Sequence, residues 1–279
     1  MNNIFEKQNS EKFIKLLAAQ RHMYNKAKKI KSNRTNFSLF LLITSLLLPF
    51  WYSKGVPYLG VISGIWTIAL LLFKNYEKKV IIQGAKIQEE FDTTLFELPW
   101  NSFLVGSKIT REVIADANSS FKGDRSRLQN WYANYNNDAH IKNVLQCQRA
   151  NLSWDWRLRQ AYCNFLLIMV CILFFGEAIY ALVQQKSLIG YLNELLIPSI
   201  PILLIGIESI IEHKALAQEK QSNEQQVSSL LEANNLDMET IRKFQDLIYS
   251  FRTSTALIPD YFYKRLWRRY DRNMHNSVE

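Results

Sequence analysis

The chain has 279 residues, of which 48% are hydrophobic and 13% aromatic, and its formal net charge is +9. Nine glycines and six prolines are too few for a loop-rich β-protein, and the aromatic content excludes collagen-like and disordered classes. Cys147, Cys163 and Cys171 form no CxxC pair, so neither a disulfide scaffold nor a metal site is expected. The mean hydropathy of −0.13 hides a strongly uneven distribution of charge along the chain.

The first segment, residues 1–35, has the pattern of a basic amphipathic helix. Phe13, Leu17 and Tyr24 recur at helical spacing, with lysines on the opposite face. Such a helix packs on its own protein, or it lies on anionic lipid through its basic face; the pattern leaves both open. No small-residue cleavage site precedes the first apolar stretch, so we do not interpret this segment as a signal peptide.

Four apolar stretches carry almost no charge. They are residues 37–52, 57–73, 165–183 and 188–211. Each has about the length that a helix rising 1.5 Å per residue needs to cross a hydrocarbon core of ~30 Å. A buried helix of a soluble protein would explain one such stretch, but four stretches in two close pairs predict two transmembrane hairpins. We place these hairpins at residues 36–73 and 163–211.

The basic residues predict the orientation of these spans. Of the 34 lysines and arginines, the two hairpin connections hold only Lys54 and Lys186. The positive-inside rule then places both termini and the central region in the cytoplasm. The cytoplasmic parts are therefore residues 1–35, 74–162 and 212–279.

The cytoplasmic parts are predicted to be helical. No proline interrupts the chain from residue 74 to Pro99, from 139 to 184, or from 207 to 233, so three of the four spans should continue as cytoplasmic helices. Residues 100–138 are rich in asparagine and glycine, which indicates loops and short helices. A helix is expected from about 238 to 251. The fold class is thus an all-α membrane protein.

Five local motifs resemble those of one known family. They are QRHMYNKAKKI at 20–30, IQEEFDTTLFELPWN at 87–101, WY at 131–132, CQRANLSWDWRLR at 147–159 and IPDYFYKRL at 258–266. Set around four membrane spans in two pairs, they are similar to the SMODS-associating four-transmembrane effectors. The resemblance covers nearly the whole chain, and none of its motifs is a catalytic signature.

The resemblance implies a membrane effector of a bacterial anti-phage system called CBASS. In such systems a neighbouring nucleotidyltransferase (CD-NTase) makes a cyclic oligonucleotide during infection. The effector's cytoplasmic part would bind this messenger, form homo-oligomers and permeabilise the inner (cell) membrane. Ligand identity and stoichiometry do not follow from the motifs.

A cyclic oligonucleotide would need arginine or lysine for its phosphates and aromatic rings for its bases. Candidates at the motif positions are Trp131, Tyr132, Arg149, Asn151, Trp154, Arg157, Arg159 and Arg252. The alternative for the face that carries Asn151 and Arg159 is a structural polar network between helices. Asp92, Pro99, Trp100 and Asn101 favour a structural role, in which Pro99 ends one helix, Trp100 packs the junction and Asn101 caps the next helix.

Four residues of the second hairpin are candidates for a pore or gate. Glu177 and Glu208 are ionisable groups within or near the spans, where such groups usually face a bundle interior or water. Glu177 could favour cations in an assembled pore, or it could be hydrogen-bonded to a neighbouring helix. Glu208 could simply be interfacial. Pro198 and Pro201 should kink the fourth span, either as a gate or as a packing detail.

Other functional classes find less support. The four histidines are far apart, and no HExxH, GxSxG or GxxxxGK[ST] pattern occurs, so we expect neither an enzyme nor a cofactor. The basic, aromatic stretch 261–272 suits lipid headgroups as well as nucleic acid, and a nucleic-acid polymer is not the expected partner. A constitutive channel or transporter, or a membrane scaffold that docks a cytoplasmic partner, remains the alternative function.

Overall fold

The structure of the protein is a computed structural model that describes residues 4–135, 139–233, 237–254 and 256–262, without the side chains of Ser53 and Trp154. The described residues form helices and loops and contain no strand. The α-helices are α1 (Ile4–Lys7), α2 (Glu11–Trp51), α3 (Val56–Leu95), α4 (Ser102–Val105), α5 (Arg111–Ser119), α6 (His140–Val183), α7 (Leu188–Tyr191), α8 (Ile197–Ala233) and α9 (Met238–Arg252). Two 3₁₀ turns, Ser53–Gly55 and Arg125–Leu128, and a π-helical turn, Leu192–Leu196, complete the order.

Four helical stretches are long and apolar enough to cross a membrane. They are α2, α3, α6 and the continuous stretch Leu188–Ala233. This confirms the predicted all-α membrane class with four spans. Helices α3, α6 and α8 continue beyond their apolar segments as expected. Helix α2 does so as well, because the basic N-terminal helix and the first span form one helix without a break.

The chain divides into two units. The polar unit comprises Met1–Ala27, Lys78–Leu158 and Leu216–Glu279, and the membrane unit comprises Lys28–Glu77 and Arg159–Ala215. The four long helices contribute residues to both units.

The membrane unit exposes large apolar side chains, as a bundle that faces lipid requires. Examples are Phe50, Trp51, Tyr58, Leu72, Leu182 and Leu188. Soluble proteins rarely expose contiguous apolar surface of this kind. With four spans, the exposed apolar belt identifies a multi-pass membrane protein.

The polar unit is held by an apolar core that α9 completes. Helix α9 contributes Phe244, Ile248 and Phe251 to a buried cluster with residues of α6 and α8. Those partners are Leu145, Leu152 and Val227. The apolar residues of α9 recur at helical spacing, which is why the sequence predicted this helix correctly.

The junction after α3 has the structure that its sequence predicts. Asn101 accepts a hydrogen bond from the backbone N–H of Leu104 and so caps the N-terminus of α4. The Trp100 indole donates to the carbonyl of Gly106 at 2.9 Å. Residues 100–135 otherwise form loops, α5 and a 3₁₀ turn, as expected. Residues 263–279, which include most of the basic, aromatic stretch 261–272, lie outside the described residues.

Candidate functional site

The polar unit contains a buried charged cluster centred on Asp92 of α3. Asp92 is completely buried, and its Oδ1 accepts a hydrogen bond from the Tyr132 hydroxyl at 2.7 Å. Its Oδ2 forms an ion pair with Arg252 of α9 and accepts from the Gln245 amide at 3.2 Å. Three side chains that are far from Asp92 in sequence thus meet at its carboxylate.

The cluster continues one turn earlier along α3. Glu89 Oε2 accepts from the Gln245 amide at 2.7 Å, and Glu89 Oε1 pairs with Arg242 Nη2 at 2.8 Å. Arg242 also donates from Nε to Asp246 at 3.1 Å and from Nη1 to the Pro99 carbonyl at 2.9 Å. Helix α9 is therefore joined to α3 by two arginines and one shared glutamine.

Helix α6 and the loop before it complete the cluster. The Asn151 amide donates to the Tyr132 hydroxyl at 2.9 Å, and the Gln148 amide donates to the Ile241 carbonyl at 3.0 Å. The Gln8 side chain fixes the backbone of Tyr132. Its amide N–H donates to the Tyr132 carbonyl at 3.0 Å, and its Oε1 accepts from the Tyr132 N–H at 2.8 Å. The tyrosine is therefore held at both its backbone and its hydroxyl.

Burial and charge fix the protonation of this cluster. Burial, together with the negative charge of Asp92, raises the pKa of Tyr132 well above its usual value, so the phenol stays a neutral donor. Burial, the largest single effect, would lower the pKa of Arg252, but the acidic groups around it, Asp92 first, together outweigh burial and leave that pKa raised. Arg252 therefore stays cationic and Asp92 retains its counter-charge.

Two buried polar atoms of the cluster have no hydrogen-bond partner. One is the Nη2 donor of Arg252, and the other is the Oε1 acceptor of Gln148. Buried polar groups are rarely left unpaired, and such groups call for an explanation. A cationic guanidinium with an unused N–H next to an aromatic hydroxyl is suited to an anionic oxygen.

The structure brings three of the eight candidate ligand residues together. Tyr132, Asn151 and Arg252 belong to the cluster around Asp92. Trp131 is half-buried, and its ring lies 5.3 Å from the guanidinium of Arg21. The arrangement keeps the WY motif next to the cluster but directs its two rings to different partners.

The remaining candidates lie apart from the cluster. Arg149 pairs weakly with Glu224, with 3.4 Å between Nε and Oε1, and Arg157 is exposed beside the ring of Trp156. Arg159 belongs to the membrane unit, where its Nη1 lies 3.1 Å from His213 Nδ1. The candidate Trp154 has its side chain outside the described residues.

Sequence reasoning gave Asp92 a structural role but missed Glu89, Arg242 and Gln245 of this cluster. Glu89 and Asp92 stand three residues apart, and Arg242, Gln245 and Arg252 recur at helical spacing. These spacings place each set on one face of a helix. The spacings could have indicated a polar face on α3 and another on α9. They do not show that these two faces contact each other.

The pore candidates fall into two surroundings within the membrane unit. Glu177 is 5% exposed and accepts at Oε2 from the Ser199 hydroxyl at 3.0 Å. Glu208 is half-exposed and pairs with Lys74, which also donates to Glu212 at 2.8 Å. Pro198 is the second residue of α8 and follows the π-helical turn, while Pro201 lies inside α8.

The histidines, cysteines and carboxylates of the described residues were the candidates for a metal or thiol site. No group of three His, Cys, Asp or Glu side chains there could hold a metal ion. Burial raises the pKa of the Cys147 thiol, which makes it a poor nucleophile. His140, two turns before it, has its Nε2 3.0 Å from the Phe96 carbonyl.

Comparisons with known proteins agree with this architecture. The profile of the SMODS-associating 4TM effector domain matches residues 2–279. The chain is similar to a probable CBASS effector molecule of Bacillus cereus (strain VD146), with 31% identity over 287 residues. The match covers 99% of this chain and 96% of that relative. No solved structure matches the chain.

Proposed function

Because this chain belongs to the family of SMODS-associating 4TM effectors, we propose that it is the membrane effector of an anti-phage CBASS system. Its polar unit binds a cyclic oligonucleotide made by a neighbouring CD-NTase. Bound chains form a homo-oligomer, and the membrane unit then permeabilises the bacterial inner membrane. Loss of the membrane barrier stops the infected cell before phage is released.

The observation that supports this proposal is the presence of two chemically different units in one chain. A membrane unit with an exposed apolar belt and a polar unit with a buried charged cluster share four long helices. An effector of this kind needs a part that recognises an anion and a part that acts on lipid. The family match over residues 2–279 links this pairing to anti-phage defence.

We place the messenger at the polar unit, where the unused Nη2 of Arg252 offers a donor to a phosphate oxygen. Tyr132 and Asn151 belong to the same cluster, in which the Asn151 amide donates to the Tyr132 hydroxyl and Asp92 joins Tyr132 to Arg252. Trp131, Arg149, Trp154 and Arg157 remain candidates for the bases and outer phosphates, and Arg159 is the candidate in the membrane unit. A phosphate that competes with Asp92 for Arg252 would loosen the attachment of α9.

The function is tested by expressing the chain with its neighbouring synthase and following a membrane-potential dye. Depolarisation is expected with the active synthase and not with a catalytically inactive one. Depolarisation in both strains would indicate a constitutive channel instead. Unchanged potential in both strains would contradict membrane permeabilisation and leave the scaffold as the better explanation.

The orientation is tested separately by cysteine labelling. Both termini face the cytoplasm in our proposal, because 32 of the 34 basic residues lie outside the hairpin connections. Cysteines introduced beside Lys54 and Lys186 should react with a membrane-impermeant reagent added outside the inner membrane. Reaction only after the membrane is opened would reverse the proposed topology.

A further inference from the structure

Among the buried polar side chains of the membrane unit is a set of four, one from each of its long helices. These are Ser45 of α2, Ser63 of α3, Glu177 of α6 and Ser199 of α8. The three serines are completely buried, and Glu177 is 5% exposed. The helices around them are apolar. The contacts between the helices show whether these four side chains lie at the same level of the bundle.

Helices α6 and α8 bring Glu177 and Ser199 into direct contact. The Ser199 hydroxyl donates to Glu177 Oε2 at 3.0 Å. Seven residues further along α8, a Cβ on Gly206 would lie 2.6 Å from Val170, which is seven residues earlier in α6. The two contacts have the same antiparallel register, so Glu177 and Ser199 face each other within a regular, closely packed helix pair.

Helix α3 places Ser63 at this same level. A Cβ on Gly60 would lie 3.9 Å from the Ile197 side chain, and Lys74 pairs with Glu208 further along the same two helices. These contacts show that α3 and α8 run parallel with a nearly constant offset. Three residues after Gly60, Ser63 is therefore level with residue 200, next to Ser199.

Helix α2 supplies the fourth residue of the level. The Trp66 indole donates to the Ser38 hydroxyl at 2.9 Å, and Arg34 pairs with Glu77 at 2.6 Å, so α2 and α3 are antiparallel. These two contacts place position 45 opposite residues 59 to 66 of α3. That interval contains Ser63, so the helix register places Ser45, Ser63, Glu177 and Ser199 at about the same depth, and we call these four residues the polar layer.

Two oxygens of the polar layer have no hydrogen-bond partner. Ser63 Oγ and Glu177 Oε1 are both buried, and neither makes a hydrogen bond. A carboxylate at membrane depth is costly and usually marks a functional position. An unpaired carboxylate oxygen and an unpaired hydroxyl oxygen at one level leave acceptor capacity that a bound cation would use.

The backbone of α8 adds carbonyl oxygens beside this layer. Pro201 has no N–H, so the Ile197 carbonyl cannot receive the usual helical hydrogen bond from position 201. The π-helical turn Leu192–Leu196 comes directly before, and π turns occur frequently at functional sites. Interrupted helices of this kind coordinate monovalent cations in membrane transporters through freed carbonyl groups.

We propose that the polar layer binds a monovalent metal cation of the Na⁺ or K⁺ class. Carboxylate, hydroxyl and carbonyl oxygens are hard ligands that suit such ions. The single carboxylate of the layer balances one positive charge, whereas a divalent ion would leave an excess charge in an apolar surrounding. The site belongs to the resting chain, so it goes beyond the proposed function and needs neither messenger nor oligomer.

The test is the thermal stability of the purified full chain in detergent, without messenger, at constant ionic strength. Replacing N-methylglucamine chloride by NaCl or KCl should raise the Tm and reach saturation, because a ligand that binds only the folded state stabilises it. Glu177→Gln should remove this cation-dependent shift. Ser63→Ala should raise the half-saturating cation concentration, roughly tenfold for the loss of one polar ligand.

Thr44→Val is the matched control, because Thr44 precedes Ser45 on α2 but is only half-buried, and its hydroxyl donates to the Phe40 carbonyl of its own helix. It should keep the parent's cation response. An equal Tm in all three salts would overturn the proposal, and so would an unchanged response of Ser63→Ala. If Glu177→Gln does not fold, the parent and Ser63→Ala still decide the question. Depolarisation in cells is a separate measurement, so its failure would not affect this result.

Discussion

Two buried clusters, one in each unit, surround their carboxylates in opposite ways. In the polar unit, Asp92 and Glu89 are met by Arg252, Arg242 and Gln245, so buried charges of both signs alternate. In the membrane unit, the buried Glu177 carboxylate accepts a hydrogen bond from the Ser199 hydroxyl. The first arrangement balances its carboxylate charges with arginines, while the second pairs its carboxylate only with a hydroxyl and leaves Glu177 Oε1 without a hydrogen bond. The cluster around Asp92 therefore stabilises the packing of its helices, whereas the polar layer around Glu177 is suited to binding an ion.

The largest expected effect breaks the charge balance of the polar unit. Arg252→Gln leaves Asp92 buried without its counter-charge, which should lower the free energy of unfolding by about 3–5 kcal/mol. Asp92→Asn combined with Arg252→Gln should recover much of that loss, because no uncompensated charge remains. The measurement is a denaturant titration of the purified chain in detergent.

The control for this change lies on the same helix. Lys243 of α9 is exposed and pairs with Glu239 one turn away, so Lys243→Gln should have little effect on stability. Equal stability of Arg252→Gln and the parent would show that the cluster around Asp92 contributes nothing to holding α9.

The second prediction sharpens the comparison through two arginines of α6 that lie in different units. Arg149 belongs to the polar unit and is only weakly paired, while Arg159 belongs to the membrane unit beside His213. If the messenger binds the polar unit, Arg149→Ala removes a charge-assisted contact of about 1.5–3 kcal/mol, which is roughly a tenfold to hundredfold weaker Kd. Arg159→Ala should then bind nearly as the parent does.

Calorimetric titration of the purified variants with the synthase product measures both affinities. Parent-like binding by Arg149→Ala would move the site towards Arg252 and the residues around it. A loss confined to Arg159→Ala would instead assign messenger recognition to the membrane unit, against our placement.

The sequence predicted the helices well, but it did not predict which helices and side chains contact one another. The spans and α9 follow from apolar length and helical spacing, which depend only on neighbours along the chain. The cluster around Asp92 joins residues that are 153 to 160 positions apart, as the pairs with Gln245 and Arg252 show. A helical spacing identifies which residues share a face, but tertiary packing decides what that face meets. For the same reason Glu177 was recognised as unusual while Ser45, Ser63 and Ser199 were not.

The smallest expected effect comes from an exposed ion pair of the polar unit. Lys7 Nζ lies 2.7 Å from Glu97 Oε1, and both side chains are about half exposed. The hydrogen bond and charge of Lys7 lower the pKa of Glu97, so the pair stabilises the fold above pH 4.5 and loses this contribution as the pH falls below it. Solvent screening limits the contribution to at most about 1 kcal/mol, in contrast to the buried pair at Asp92. Glu97→Gln should therefore lower the Tm slightly at pH 7 and not at all at low pH, as differential scanning fluorimetry at the two pH values would report. A loss as large as that of Arg252→Gln would mean that burial does not explain the difference between the two ion pairs.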